Sequence, residues 1–174
     1  YLTGRTGGAA TCSEFGRGVA FDAAGSVYVV GSTASLVFPT TTGALQATPP
    51  GNSGTNGYAS FVVKLAPDAR TIVWSTYLGG NGGNTFASRI VPDSTASAVW
   101  VQATTGGGTN FPLTADGLQR QFGGGTYDAS YHQLDATTGA LKYGTFMGGS
   151  GNENAATMAL DASGNAYVAG DTDS

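Results

Sequence analysis

The chain has few of the residues that carry charge or chemistry. Its 174 residues include one cysteine and one histidine, and charged side chains make up only 10% of the sequence. The single Cys12 excludes a disulfide within the chain and leaves the redox compartment undecided. Seven basic residues stand against eleven acidic ones, for a net charge of −4, and the basic residues are scattered. No nucleic-acid partner is expected, because such a partner would need a basic stripe.

Long apolar runs are also missing. The longest uncharged apolar stretches are short ones such as VYVV at 27–30, far below the ~20 residues that a membrane helix needs, so no membrane insertion is predicted. No leader sequence opens the chain, and we expect any secretion signal to lie upstream of Tyr1 or to have been removed. Glycine is abundant, with 29 residues, and Thr, Ser, Ala and Asn fill the polar positions. This composition indicates a neutral, turn-rich surface.

The sequence repeats itself with a period near 70 residues. Asp22, Asp93 and Asp161 belong to three related passages and stand 71 and 68 residues apart. Such self-similarity is the signature of a repeat architecture. Three further landmarks recur in the same order: FPTTTGALQ (38–46) with FPLTADGLQ (111–119), YASFVVKL (58–65) with YDASYHQL (127–134), and VWSTYLGGNGGN (73–84) with KYGTFMGGSGNE (142–153).

Each unit is predicted to form four antiparallel strands. β-branched and aromatic residues fill the predicted segments, and Gly-rich turns separate them. The turns DAAGS and DASGN place Asp and Gly where a tight hairpin needs an Asx turn and a positive φ. In the first unit the predicted strands lie around 19–22, 27–31, 60–65 and 72–78.

The repeated nine-residue phrase falls between the second and third strands of each unit. That connection of roughly 27 residues is much longer than a hairpin loop of about 2 to 5, so it needs an anchor of its own. We expect Phe38 and Phe111 to be buried at equivalent places, and Thr41 to cap one helical turn through Leu45. At most two helical turns are predicted, at 41–46 and 114–121.

Repeats of one small sheet stack radially as propeller blades or linearly as a solenoid. The strand count favours the propeller, and subtracting the long loop brings the period into the ~40 to 50 residues of common blades. The predicted fold is therefore all-β, with β-propeller-type blades of four antiparallel strands in an incomplete propeller of two full blades plus partial blades. The predicted divisions are 1–18 (end of a preceding blade and connection), 19–80 (first blade), 81–149 (second blade) and 150–174 (first half of a third).

An array of this kind cannot close a ring, which takes about 4 to 8 blades. The passage YLTGRTGG at 1–8 resembles the fourth-strand ending YLGGNGGN at 77–84, and GDTDS at 170–174 matches GSTAS just after a second strand. We therefore expect the chain to be a segment of a larger protein, or to have its blade faces covered by other chains.

The passages DAAGSVYVVGSTAS, FPTTTGALQ and SFVVKLAPDARTIVWSTYLGGNGGN resemble the SBBP ("seven-bladed β-propeller") repeat proteins of bacteria and archaea. The similarity runs along essentially the whole chain. It implies a secreted or surface-borne repeat module without a catalytic motif. The second unit departs from the pattern, because Ser97 and Ala98 replace the Gly turn with an inserted residue and WVQATT replaces YVVGST. That blade is expected to be distorted or to make a contact of its own.

No residue is predicted to be catalytic, and no cofactor is expected. His132 aligns with Val63 and lacks an acid or nucleophile partner, so we interpret it as a strand residue at a sheet face. For Asp22, Asp93 and Asp161 the pattern favours turn capping, since a Ca²⁺ loop needs about 6 to 8 oxygen ligands, but calcium stays open as an alternative.

Two other patterns are interpreted as structural. GGNGGN at 79–84 and GGGTN at 106–110 lack the Gly-Lys-Ser/Thr that completes a phosphate-binding loop, so their glycines are assigned to tight turns. A set of aromatic residues could be taken for a sugar-stacking platform, but their regular recurrence indicates packing between blades. The set comprises Tyr28, Tyr77, Trp100, Phe146 and Tyr167.

The leading functional hypothesis is a non-catalytic extracellular or cell-surface module with a structural or adhesive role. Its expected partners are other protein chains or the remaining blades of the same protein, with a glycan as a further partner. The alternative is a part of a propeller enzyme, a lyase or hydrolase, whose active site lies in blades not present here. A cluster of carboxylate, Arg, His or Tyr at one end of the blades would favour the enzyme. A third hypothesis is calcium-dependent binding.

Overall fold

A computed structural model describes residues 13–51 and 57–174, so Cys12 and the passage at 1–8 lie outside the described residues. The described part is all-β, without a helix, and its sheets are antiparallel and contain two to four strands. Its strands are β1 (Glu14–Phe21), β2 (Val27–Thr33), β3 (Ala59–Leu65), β4 (Ile72–Leu78), β5 (Asn81–Gly82), β6 (Thr85–Pro92), β7 (Ala98–Thr105), β8 (Gly108–Thr109), β9 (Asp128–Asp135), β10 (Leu141–Met147), β11 (Glu153–Leu160) and β12 (Ala166–Thr172).

The first sheet is an antiparallel meander in the order β1-β2-β3-β4. Its four strands confirm the four that the sequence predicts for the first unit, although β1 begins at Glu14, ahead of the predicted start at 19. The second sheet repeats the arrangement in the order β6-β7-β9-β10. β11 and β12 form a third hairpin, and β5 pairs with β8 in a short ladder.

The two four-stranded sheets agree in register as well as in order. Val63 pairs with Val29 and Ser75 in the first sheet. His132 pairs with Val101 and Gly144 in the second. His132 therefore occupies the place of Val63, as the sequence alignment of the two units predicts.

The main core lies between the first and second sheets. Tyr28, Val62 and Leu78 of the first sheet belong to the same buried cluster as Val101 and Leu134 of the second. Burying a Val, Leu or Phe side chain stabilises a fold by about 1.5–3 kcal/mol, so this cluster is the main source of cohesion between the sheets. A smaller cluster joins the second sheet to the β11–β12 hairpin through Ala129, Tyr131, Ala155 and Met158.

Hydrogen bonds also join the first sheet to the second. The Trp74 indole N–H and the Lys64 ammonium group both donate to the carbonyl of Ala136, at 3.1 and 2.9 Å. Asn84 then joins the two units where β6 begins, because its side-chain oxygen accepts from the Tyr58 amide at 2.8 Å. Asn152 does the same for the Thr126 amide at 2.7 Å, ahead of β11. The joint between units is thus built twice from the same residue type.

Phe38 and Phe111 anchor the long connections, as predicted. Phe38 is 3% exposed and stacks on Phe61 with ring centroids 4.6 Å apart. Phe111 is 8% exposed and stacks on Phe146 at 4.7 Å. Both are buried at equivalent places, on the same side of their sheets.

The rest of the phrase pairs with the outermost strand of its sheet. Thr41 exchanges backbone and hydroxyl hydrogen bonds with Ser75 on β4 at 3.0 to 3.4 Å. Gln46 binds the Gly79 amide and carbonyl through its side chain, each at 2.9 Å. In the second unit Thr114 binds Gly144 and Gln119 binds the Gly148 amide in the same way. Because unpaired strand edges invite association with other chains, the phrase also protects the edges of β4 and β10.

Neither 41–46 nor 114–121 forms a helical turn, which is within the predicted limit of two. The predicted cap at Thr41 is wrong. The Ala44 amide donates to the Thr41 carbonyl across a tight turn in which Gly43 has a φ of +80°, a value that favours glycine. The Thr41 hydroxyl accepts from the Ser75 amide, so it is not a helix cap. A nearby strand edge supplied better partners than a helical turn would have.

The Tyr77 hydroxyl fastens the first long connection through two hydrogen bonds. It accepts from the Phe38 amide and donates to the Ser35 carbonyl, both at 2.9 Å and both buried. We expect Tyr77→Phe to lower the free energy of unfolding by roughly 1–3 kcal/mol, because a buried donor and acceptor lose their partner. Chemical denaturation measures the change. Tyr131→Phe is the control, since the Tyr131 hydroxyl makes no hydrogen bond within the described residues; equal losses for both variants would contradict the prediction.

Candidate functional site

The three recurrent aspartates cap their hairpins. In each turn one carboxylate oxygen accepts from two backbone amides, two and four residues further along, which confirms the predicted turn capping. Hydrogen bonds from Asn165 hold the pKa of Asp161 below its usual value. N–H and O–H donors already bind these carboxylate oxygens, so a calcium ion would have to displace those donors. The amide bonds are Asp22 with Ala24 and Ser26 (3.0 and 2.9 Å), Asp93 with Thr95 and Ser97 (3.1 and 2.9 Å), and Asp161 with Ser163 and Asn165 (2.9 and 2.9 Å).

A second series of capping aspartates was missed from the sequence. The Asp68 carboxylate accepts from the Arg70 and Thr71 amides at 2.8 and 3.0 Å, in the turn between β3 and β4. Asp135 does the same between β9 and β10, where Thr138 donates at 2.9 Å. The common pattern Asp-x-x-Thr could have revealed both.

His132 lies at a sheet face in a fully buried position. Its ring centroid is 5.3 Å from that of Phe111, and neither ring nitrogen has a hydrogen-bond partner among residues 13–51 and 57–174. Burial lowers the pKa of His132 to about 4. The Pro112 backbone near the ring raises the pKa, but by less than burial lowers it. A neutral imidazole without an acid or nucleophile beside it is a core residue, in agreement with the sequence interpretation.

The five aromatic residues interpreted as packing residues do not share one environment. Tyr28, Tyr77 and Phe146 are buried, as predicted. Trp100 is half-buried, and Tyr167 is 60% exposed, with its hydroxyl 3.2 Å from Asp161. They form no common platform, because they lie in three different sheets.

Two carboxyl groups meet where the second sheet joins the third hairpin. Glu153 accepts from the Gly149 amide at 2.8 Å and from the Thr172 and Ser174 hydroxyls at 2.8 and 2.9 Å. Asp128 is fully buried and accepts from the Gly123 amide at 2.7 Å. Burial, and then the neighbouring Glu153, raise the pKa of Asp128. Hydrogen bonds from Thr172, the Gly149 amide and Ser174 hold the pKa of Glu153 below its usual value, and Asp128 Oδ1 makes no hydrogen bond among the described residues.

This carboxyl pair has a counterpart of a different kind in the second sheet. Thr85 in β6 stands at the position that Glu153 occupies in β11. The Thr85 hydroxyl forms a hydrogen bond with the Thr105 hydroxyl at 2.9 Å, just as Glu153 accepts one from the Thr172 hydroxyl. The position therefore ties the first strand of a unit to its second strand, whichever residue occupies it.

The first strands of the three units, β1, β6 and β11, share an irregularity that exposes equivalent residues. β6 packs against β1 and β2, and β11 packs against β6 and β7. Each first strand has a β-bulge at the same register, so that Arg17, Ser88 and Ala156 are the inserted residues. All three are exposed. Bulges recur next to functional sites, where they re-aim side chains.

A row of four aromatic rings lies at one end of this surface. We call Phe15, Tyr58, Phe86 and Tyr127 the aromatic row; successive ring centroids are 6.0, 5.9 and 6.1 Å apart. The Arg17 guanidinium lies over the rings of Phe15 and Phe86, at 6.0 and 5.8 Å from their centroids. At such distances the ring faces attract the cation.

An open groove of roughly 350 Å³ runs beside the aromatic row. In β11, Asn154 stands at the position that Phe15 occupies in β1 and Phe86 occupies in β6. The aromatic row therefore ends at the amide side chain of Asn154. Ring faces, a guanidinium and polar groups suit ligand binding, and the groove lining contains no carboxylate that could act as an acid or base. Its lining comprises Arg17, Phe86, Ser88, Thr104, Tyr127, Asn154 and Ala155.

The sequence contained a signal for the aromatic row. Phe15 and Phe86 are 71 residues apart, and Tyr58 and Tyr127 are 69 apart, so all four follow the repeat. Recurrence alone does not distinguish these four rings from the five interpreted as packing residues, because exposure and contact between units are set by the packing of the sheets.

No protein-family model matches this chain, and no curated protein matches it significantly. In residues 13–51 and 57–174 there is no helix with the length and apolar character that crossing a membrane requires.

Proposed function

We propose that the chain is a non-catalytic repeat module of SBBP type, with β-propeller-type blades, secreted or displayed at the cell surface. Its role is structural, adhesive or protein- and glycan-binding, within a larger protein or assembly. The repeated order and register of the two four-stranded sheets, packed face to face, support the blade assignment. The resemblance in sequence supports the secreted or cell-surface location. Its partners are the remaining blades or other chains, and a glycan.

One observation carries the non-catalytic assignment: the polar residues that recur are used for structure. The recurrent aspartates cap turns, the Thr and Gln of the nine-residue phrase bind edge strands, and the recurrent Asn joins one unit to the next. The aromatic row also recurs, but its rings are at least partly exposed, which suits binding.

A lyase or hydrolase is the second candidate, because Glu153 also lines a groove of roughly 400 Å³. Paired carboxyl groups beside a groove are what such an enzyme uses. The arrangement favours a structural role, because three protein donors engage Glu153 and Asp128 is fully buried. A catalytic acid or base must instead reach the proton that it transfers.

Incubation of the purified chain with a panel of soluble polysaccharides tests the proposal. We expect the chain to be retarded in gels that contain a bound polysaccharide, without release of reducing ends or of unsaturated products. Product formation that Glu153→Gln abolishes would replace the binding module by the enzyme. Asp171→Asn, an exposed carboxylate lining the same groove, is the matched control.

A further inference from the structure

We propose that the aromatic row and Arg17 beside it bind an anionic polysaccharide. Sugar rings lie against the aromatic faces, and a carboxylate or sulfate group of the polymer meets the guanidinium group of Arg17. The inference rests on the proposed function as a binding module and names its ligand class and site.

The aromatic row presents apolar faces to solvent at regular intervals. Phe15 is 48% exposed, and the other three rings are partly exposed. Neighbouring rings are tilted by 41 to 61°, so the row is corrugated and offers a separate face at each step. A polymer with a repeating ring can therefore use several faces at once.

The positive charge of the site comes from Arg17, whose guanidinium lies over the rings of Phe15 and Phe86. Arg17 is exposed and lines the groove. The salt bridges between described residues are formed by Lys64 and Lys142, and Arg17 takes part in neither. A guanidinium group without a carboxylate partner among the described residues is well suited to a bidentate contact with carboxylate or sulfate.

Polar groups in the groove suit the hydroxyls of a sugar. The side chains of Asn154 and Tyr127 make no hydrogen bond to another described residue, and both line the groove. Ser88 is exposed and accepts only a long bond, of 3.4 Å, from Gln102. These groups supply donors and acceptors around an apolar floor, as small-ligand sites require.

Charge decides against nucleic acid as the occupant. The chain has a net charge of −4, and among the described residues Arg17 is the one arginine that lines the groove. Nucleic-acid binding depends on neutralising a closely spaced row of phosphates with many cations.

Affinity gel electrophoresis of the 174-residue chain tests the inference with defined polymers. Gels contain polygalacturonate or alginate as anionic polymers, and dextran or hydroxyethylcellulose as neutral ones. We expect retardation by an anionic polymer, weakened by added salt because the charges are exposed. Arg17→Gln and Phe86→Ala should each raise the apparent Kd about tenfold, whereas Phe86→Tyr, which keeps the ring, should bind normally.

Two controls match these variants. Phe21→Ala changes a 65% exposed ring on β1 outside the aromatic row, and Arg70→Gln removes an exposed arginine in a distant turn. Both should bind as the unchanged chain does. Equal binding by Arg17→Gln, loss of binding in either control, or no retardation by any polymer would overturn the inference. Binding to neutral polymers alone would also overturn it while leaving the binding module standing, and cleavage of a polymer would remove both.

Discussion

Acidification from pH 6.5 to about 4 is expected to destabilise the protein by about 3 kcal/mol through His132 alone. His132 is fully buried, and the desolvation of its ring lowers its folded-state pKa below the ordinary value of 6.5. The unfolded chain then binds a proton that the folded chain does not. The stability contributed by the neutral ring is complete above pH 6.5 and is lost progressively as the pH falls toward 4.

His132→Val places at this position the residue that the first unit has there. We expect it to remove most of the stability loss between about pH 6.5 and 4, measured by denaturant unfolding of both proteins at several pH values. The difference between the two proteins at each pH isolates His132, because Asp128, whose pKa is raised, works in the opposite direction. A carboxyl group with a raised pKa is stabilising at low pH, and that contribution is lost as the pH rises. An unchanged slope in His132→Val would refute the prediction.

The features predicted correctly from the sequence are those set by local chemistry. The turns DAAGS and DASGN, the β-branched and aromatic segments of β2 and β3 and the repeat of Phe38 at Phe111 each depend on short segments. Their structural consequences are fixed by turn geometry and by the burial of one face of a strand. Such features can be read from one copy of the repeat and checked against the next.

The features that were missed depend on neighbours far away in the sequence. Thr41 was predicted to cap a helical turn, yet it binds Ser75, because the edge of β4 offers backbone partners at that place. The contact of Arg17 with Phe86 requires the first two sheets to pack face to face with a bulge in β1. Neither the bulge nor the packing distance is encoded in the local pattern.

The same distinction explains why the candidate site could be assigned only after the fold. A repeated aromatic residue is compatible with burial and with exposure, as buried Tyr28 and exposed Tyr167, which hold equivalent places in β2 and β12, demonstrate. What separates them is whether another sheet covers the face. The second sheet covers Tyr28, and Tyr167 lies on the outer hairpin strand.

Phe38→Ala is expected to have the largest effect on a single segment. Loss of a buried Phe costs about 3–5 kcal/mol, and the ring of Phe38 holds the connection at residues 34–51 onto Phe61 and Tyr77. The first sheet keeps its own strand pairing and its core against the second sheet, to which Phe38 does not belong. The connection should therefore open before the sheets unfold.

Hydrogen exchange of individual amides measures this opening. Four amides of the connection are hydrogen-bonded to Tyr77, Ser75, Thr76 or within the turn, namely those of Phe38, Thr41, Ala44 and Gln46. In Phe38→Ala these amides should exchange at least about a hundredfold faster, the factor that corresponds to a loss of roughly 3 kcal/mol, whereas amides of β6 and β7 should keep their protection. Val37→Ala is the matched control, because Val37 precedes Phe38 and is 51% exposed, and its exchange should not change. A uniform increase across both sheets would show that the ring supports the whole fold and that the connection is not a separately anchored segment.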